Sequence, residues 1–260
     1  MIGAIDSVVS KVQLLTYNRY KYYPDNGTMR LYPPRSKAHI FFHSKIESHI
    51  NNQLGSLQTD LDPSLSTFAK SIISASTRPI RASSVREHHS IRLFPDAQWV
   101  FRGPEGDDGG PTVVIEISYN YGDDQVYLHD SARKYFEISP DVRTVITFSI
   151  NTEPDHSHSE GETKDPSKRA YVRVWERAGE HGLGVPTRMA FFADIDVETA
   201  IGHTNAVEKS VEVPLLNFVP QKYEEQYSAL KNKSVVLTMR DLSEWLREAE
   251  EVEGKVGTKI

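Results

Sequence analysis

The chain contains no cysteine. That absence removes disulfides and thiolate metal sites, and it is compatible with a reducing compartment. A net basic charge is also lacking: 30 Lys/Arg stand against 36 Asp/Glu, for −6 at pH 7. Such a balance argues against indiscriminate nucleic-acid binding. No long apolar run occurs, and the opening MIGAIDSVVSKVQLL carries Asp6 and Lys11 early. Neither a secretory signal nor a membrane span is expected, and an intracellular protein is. What is present is 260 residues, 38% hydrophobic and 25% charged. That suits a sizeable core in one large domain, or in one domain with an appendage.

The charge is unevenly spread. Residues 1–100 hold 12 Lys/Arg and 7 Asp/Glu, a balance of +5, whereas residues 101–260 hold 18 and 29, a balance of −11. The stretch RPIRASSVREHHSIR (Arg78–Arg92) has four arginines, one glutamate and two histidines. It reads as a phosphate-facing patch or as a solvated basic loop.

Residues 1–40 are rich in tyrosine, proline and turn residues and read as loops or an irregular hairpin. SKIESHINNQL sets Ile46, Ile50 and Leu54 at helical spacing. DLDPSLSTFAKSIISAS places Leu65, Phe68, Ala69, Ile72 and Ile73 on one stripe, with Pro63 near its start. From Ile91 the period changes to two, and Pro95 marks an edge or a bulge. EGDDGG (Glu105–Gly110) then joins IRLFPDAQWVF to TVVIEISYNY as an antiparallel hairpin. In the second strand Val113, Ile115, Ile117 and Tyr119 share one face, and Glu116 and Ser118 share the other. DQVYLHDSARKYFEIS reads as a helix with Leu128, Ala132, Tyr135 and Phe136 inward. VRTVITFSI (Val142–Ile150) follows as a strand, and strand–helix–strand order predicts a parallel pair. Asn151–Lys168 is almost without apolar residues and reads as a mobile loop. AYVRVWER is a fourth strand, with Trp175 in the core. RMAFFADI and VEVPLLNFV add strands or packing segments, and MRDLSEWLREAEEVEG is a closing helix.

Two carboxylates interrupt the hairpin, Asp96 after Pro95 and Glu116 inside an apolar strand. Burial of a lone carboxylate costs several kcal/mol, about that much per ion even after relaxation. Two acids aimed to one side of neighbouring strands could instead share a hard divalent cation. Such an ion polarises a phosphoryl oxygen and acidifies a bound water.

The stretch LFPDAQW…GGPTVVIEISYNY…LHDSARKYFEISPDVRTVITFSI resembles the PD-(D/E)XK nuclease superfamily, with its restriction-endonuclease-like fold. It is similar to bacterial restriction-endonuclease-like families and to uncharacterised fungal proteins built on that core. The resemblance covers about a third of the chain, residues 83–176. It implies Asp96 and Glu116 as ligands of Mg²⁺ or Mn²⁺, with the Ile117 carbonyl as a third. It further implies DNA rather than RNA as the nucleic acid cleaved. The superfamily expects a lysine two residues after the second acid, and Ser118 stands there. Serine binds a water but carries no charge. Lys134, on the following helix, is the replacement candidate to stabilise the phosphate, with Arg133 pointing about 100° away.

Around this pair, Gln98 and Ser118 are candidates to contact substrate, and Arg78, Arg81, Arg86 and Arg92 to meet the phosphate backbone. Glu47 or Glu87 could supply a further acid. The DHSH run (Asp155–His158) has no scaffold for a metal, and His88 and His89 diverge as neighbours. Ser118 lacks the setting of a nucleophile. The expectation is an α/β (α+β) protein with a mixed central sheet flanked by helices and a restriction-endonuclease-like core. Residues 1–40 form an irregular segment, 41–220 the nuclease-like domain with its loop at 151–168, and 221–260 a helical extension. The function expected is Mg²⁺-dependent phosphodiester hydrolysis, with a catalytically inactive binding module as the alternative. The oligomeric state stays open, a homodimer included.

Overall fold

The computed structural model describes residues 19–23, 28–32, 35–81, 92–103, 106, 108–119, 124–151, 169–177, 185–193 and 210–254. An antiparallel hairpin comes first, β1 (Arg19–Tyr23) on β2 (Thr28–Tyr32). Two helices follow, α1 (Lys37–Leu57) and α2 (Pro63–Ser71). Next are β3 (Ile72–Ser74), β4 (Ile80–Arg81), β5 (Arg92–Leu93), β6 (Ala97–Arg102) and β7 (Asp108–Tyr119). Helix α3 (Asp124–Ile138) leads to β8 (Thr144–Asn151), β9 (Arg169–Glu176) and β10 (Val185–Ala193). The chain continues through β11 (Ser210–Pro214), three short 3₁₀ turns, β12 (Ser234–Thr238) and α4 (Met239–Gly254).

Six strands form the central sheet in the order β10-β9-β8-β7-β6-β3. Every neighbouring pair is antiparallel except β7 and β8, which run parallel with α3 as the crossover. This is the mixed α/β arrangement that the strand–helix–strand order predicts. The β6–β7 turn contains Gly106 at φ +74, a conformation that costs glycine nothing.

Each sheet face carries its own layer. Val113, Ile115, Ile117 and Tyr119 of β7 join Ile146, Phe148 and Ile150 of β8 in the larger core, with α1, α2 and α4. Helix α1 contributes Ala38, Phe42, Ile46, Ile50 and Leu54 at helical spacing, and the Phe42 ring meets Phe148 edge-on at 5.7 Å. Each large side chain on that stripe gains about 1.5–3 kcal/mol by burial. The start of α1 is capped by Ser36, whose Oγ accepts the His39 N–H at 3.0 Å. Glu253 near the end of α4 accepts the Ala38 N–H at 2.8 Å, a favourable charge at a helix N-terminus. The closing helix thus packs on the first helix with Leu242, Leu246 and Ala249 buried.

The opposite face is covered by α3 over a smaller core: Val114, Val145, Trp175, Ala132, Tyr135, Phe136 and Ile138, joined by Ile80 and Leu93. The inward residues expected on α3 are all buried.

Two readings differ from the structure. The α2 stripe stops at Ser71, and Ile72–Ser74 pair with Trp99–Phe101 as a sheet edge. Two adjacent β-branched isoleucines favour that choice. Strand β12 was not expected, because SVVLT is a short apolar run without turn signals. Residues 19–23 and 28–32 pair as an antiparallel hairpin, one of the two forms expected of that stretch. The 152–168 loop, with its DHSH run, lies outside the described residues.

Candidate functional site

The two hairpin acids are both buried, Asp96 at 0% and Glu116 at 2% exposure. Their placement follows from the register. Ala97 pairs with Ile115, so Asp96 stands one step further along, opposite Glu116. Alternation would send both side chains to the α3 face. At Asp96, however, β6 has not yet begun, and the backbone bends after Pro95. The Asp96 N–H still donates to the Ile115 carbonyl at 3.0 Å. Its carboxylate oxygen Oδ2 accepts the Ile117 N–H at 2.6 Å. The side chain therefore continues the ladder where the strand itself stops.

The other oxygen, Oδ1, is met from the α1 layer. Arg35 forms an ion pair with it, and His39 Nε2 lies 3.1 Å away. Arg35 precedes the α1 cap, and His39 occupies its first turn. A polar stripe continues along the same helix at i, i+4 and i+8. His43 Nε2 is 3.4 Å from Glu47 Oε2, and Glu47 Oε1 accepts from Ser74 Oγ. Burial pushes the His43 pKa below its ordinary value, against the opposing pull of Asp96 and Glu47. Thus His39, not Glu47, is the helical residue beside Asp96.

Glu116 is met from the α3 layer. Its Oε1 accepts from the Tyr127 hydroxyl at 2.7 Å, and its Oε2 from the Tyr135 hydroxyl at 2.9 Å. Burial, and then the Glu116 charge, push the Tyr135 pKa well above its ordinary value, so it stays a donor. Tyr127, Ser131 and Tyr135 are spaced i, i+4, i+8, which aligns them over one stretch of sheet. Beneath them Glu116 is in register with Thr147, and Ser118 with Ser149. Ser118, Ser131, Thr147 and Ser149 are all at most 2% exposed. Trp175 Nε1 donates to Thr147 Oγ1 at 3.0 Å, so the expected core tryptophan is core with its polar end satisfied. A buried polar seam thus runs between sheet and α3 on the Glu116 side.

The remaining candidates are scattered. Gln98 is buried, and its Nε2 donates to the Arg78 carbonyl at 2.6 Å. Arg78 itself is exposed. Arg81 and Arg92 are register partners in the β4–β5 ribbon. Lys134 is half-buried on α3, seven residues after Tyr127 and so near it in azimuth. For Ile117 it is the N–H that reaches Asp96. Arg86, Glu87, His88 and His89 lie outside the described residues. Sequence reasoning missed Arg35, His39 and Tyr127, and it assigned Tyr135 to packing alone.

These geometries bear on the expected Mg²⁺ or Mn²⁺. Three protein donors already occupy the two oxygens of Asp96, and two hydroxyls occupy those of Glu116. The described partners reach the two acids from opposite layers of the sheet, and Tyr135, which donates to Glu116, also feels the Asp96 charge. Among the described residues no group of three or more His, Asp or Glu is arranged to hold a metal ion. The described donors to the two acids all come from the protein, in two separate sets.

No protein-family model matches the chain, and no curated protein or solved structure matches it. No helix among the described residues is long and apolar enough to cross a membrane.

Proposed function

We propose that this chain is a nucleic-acid-binding module built on a restriction-endonuclease-like core, with its acid pair used as structural anchors. One observation carries the non-catalytic part: every oxygen of Asp96 and Glu116 has a protein donor, one acid served by Arg35, His39 and a backbone N–H, the other by tyrosine hydroxyls. Ser118 at the lysine position supports the same reading, since it supplies no charge for a phosphate. The core assignment is supported by order and pairing. A helix precedes an antiparallel hairpin bearing both acids, and a helix then leads to a parallel strand. The nucleic-acid partner is supported by the +5 balance of the first 100 residues within an acidic chain.

The test is retention of labelled DNA and RNA with EDTA present, run beside plasmid incubation in Mg²⁺ or Mn²⁺. Binding that persists in EDTA, with intact plasmid under both metals, is the expected result. Metal-dependent cleavage that is lost in Asp96→Ala and Glu116→Ala but kept in Ser118→Ala would establish the hydrolytic activity instead.

A further inference from the structure

The turn that leaves β3 at the sheet edge is both strained and pinned. It runs Ala75–Arg78, and the Arg78 N–H closes it on the Ala75 carbonyl at 3.2 Å. Ser76, its second residue, has φ 47, and among the described residues it is the one non-glycine residue at positive φ. L side chains rarely adopt that conformation, and it persists where the surroundings enforce it. Here the enforcement comes from Gln98 of β6, which is 2% exposed. Its carbonyl accepts the Ala75 N–H at 2.9 Å, and its side-chain Nε2 donates to the Arg78 carbonyl at 2.6 Å. One buried residue thus clamps both ends of the turn. The Ser76 N–H also reaches Ser74 Oγ at 3.4 Å, and Ser74 in turn donates to Glu47 of α1.

What the clamp holds is a solvent-facing tip. Thr77, Arg78 and Pro79 are exposed, and Ile80 immediately beyond them is buried in the smaller core. Pro79 fixes its own φ and keeps Arg78 out of helical geometry. An arginine carried on a backbone already fixed loses less freedom when it meets an anion. Its guanidinium presents a planar fork of donors that matches a phosphate. Arg78 also heads the stretch RPIRASSVREHHSIR, which has four arginines and one glutamate, so the local sequence favours a polyanion.

We infer that the Ala75–Arg78 turn is a preformed phosphate contact for nucleic acid, with Arg78 as the phosphate ligand and Gln98 as its positioning residue. This rests on the nucleic-acid-binding reading and names one place where the chain meets the polymer. Gln98 acts there at one remove: it holds the turn that carries the arginine, and its own amide is spent on the Arg78 carbonyl.

The test is fluorescence anisotropy of the full chain with a labelled DNA duplex of about 20 base pairs, over a range of salt. Arg78→Gln should lower the slope of log affinity against log salt by about 0.9 and weaken binding to unrelated sequences alike. Arg78→Lys, which keeps the charge, should keep the slope. Gln98→Met should weaken binding about two- to tenfold in the parent, and not at all in the Arg78→Gln background. Should Gln98→Met fail to fold, Pro79→Gly loosens the turn from its exposed side, with the same pair of expectations. An Arg78→Gln variant with the parent's affinity and slope overturns the inference and leaves the wider reading standing. A Gln98→Met loss of equal size in both backgrounds overturns the positioning role, because a merely structural effect does not depend on Arg78. A parent chain that binds no nucleic acid even at low salt overturns both.

Discussion

Asp96 and Glu116 stand opposite one another on neighbouring strands, yet the protein buries them by two different means. Asp96 is served from the α1 layer by Arg35, His39 and the Ile117 N–H. Glu116 is served from the α3 layer by two neutral hydroxyls. The first arrangement cancels charge with charge, and its members depend on one another. The second leaves the charge in place and solvates it with dipoles, each of which can be removed singly. Both acids thereby act as pins: one ties the start of α1 to the hairpin, and the other ties α3 to β7.

The contrast predicts unequal responses to mutation. The largest effect belongs to the charged side. Asp96→Asn turns an amide N–H toward a donor and leaves Arg35 without its counter-ion, and should cost about 3 kcal/mol in urea unfolding. Arg35→Met should cost a similar amount, and the double variant less than the sum of the singles. Additive losses would mean that the ion pair is not a unit. On the neutral side, Tyr135→Phe should cost about 2 kcal/mol, because a buried carboxylate oxygen loses its donor. Tyr127→Phe should cost less, because that side chain is half-exposed and water can replace it. Glu116→Gln should be milder again, near 1 kcal/mol, since a tyrosine hydroxyl can turn to accept from the new amide. A Glu116→Gln variant less stable than Asp96→Asn would invert the comparison.

The smallest effect is one of pH. His43 faces Asp96, Glu47, Arg35 and His39, and burial holds its folded pKa below the ordinary 6.5. The unfolded chain therefore takes up the proton first as pH falls. Stability should decline as pH drops below about 6.5 and level off beneath the folded value. His43→Gln should flatten that part of the unfolding profile relative to the parent protein. An unchanged profile would show that His43 is not what titrates there.

Much of this frame was legible from periodicity. The switch to period two after Ile91 gives the hairpin, and the polar positions of TVVIEISY give the Glu116–Ser118 face. The inward stripe of α3 is likewise explicit, and so is Tyr135. The orientation of Asp96 was not legible, because alternation places it beside Gln98 and only the bend after Pro95 turns its carboxylate into the ladder. Arg35 was hidden for another reason. It is one cation in a proline-rich stretch, and its partner is set by tertiary packing rather than by local spacing. Tyr127 at i−8 from Tyr135 was within reach, because a tyrosine stripe above a strand glutamate suggests hydroxyl donors.

The most direct measurement concerns the ion. Calorimetric titration of the parent protein with Mn²⁺, beside Asp96→Asn and Glu116→Gln, asks whether these carboxylates are available to a metal. No stoichiometric binding is expected in any of the three, and the melting temperature should be the same with and without Mn²⁺. One Mn²⁺ bound per chain by the parent, and lost in both variants, would contradict it.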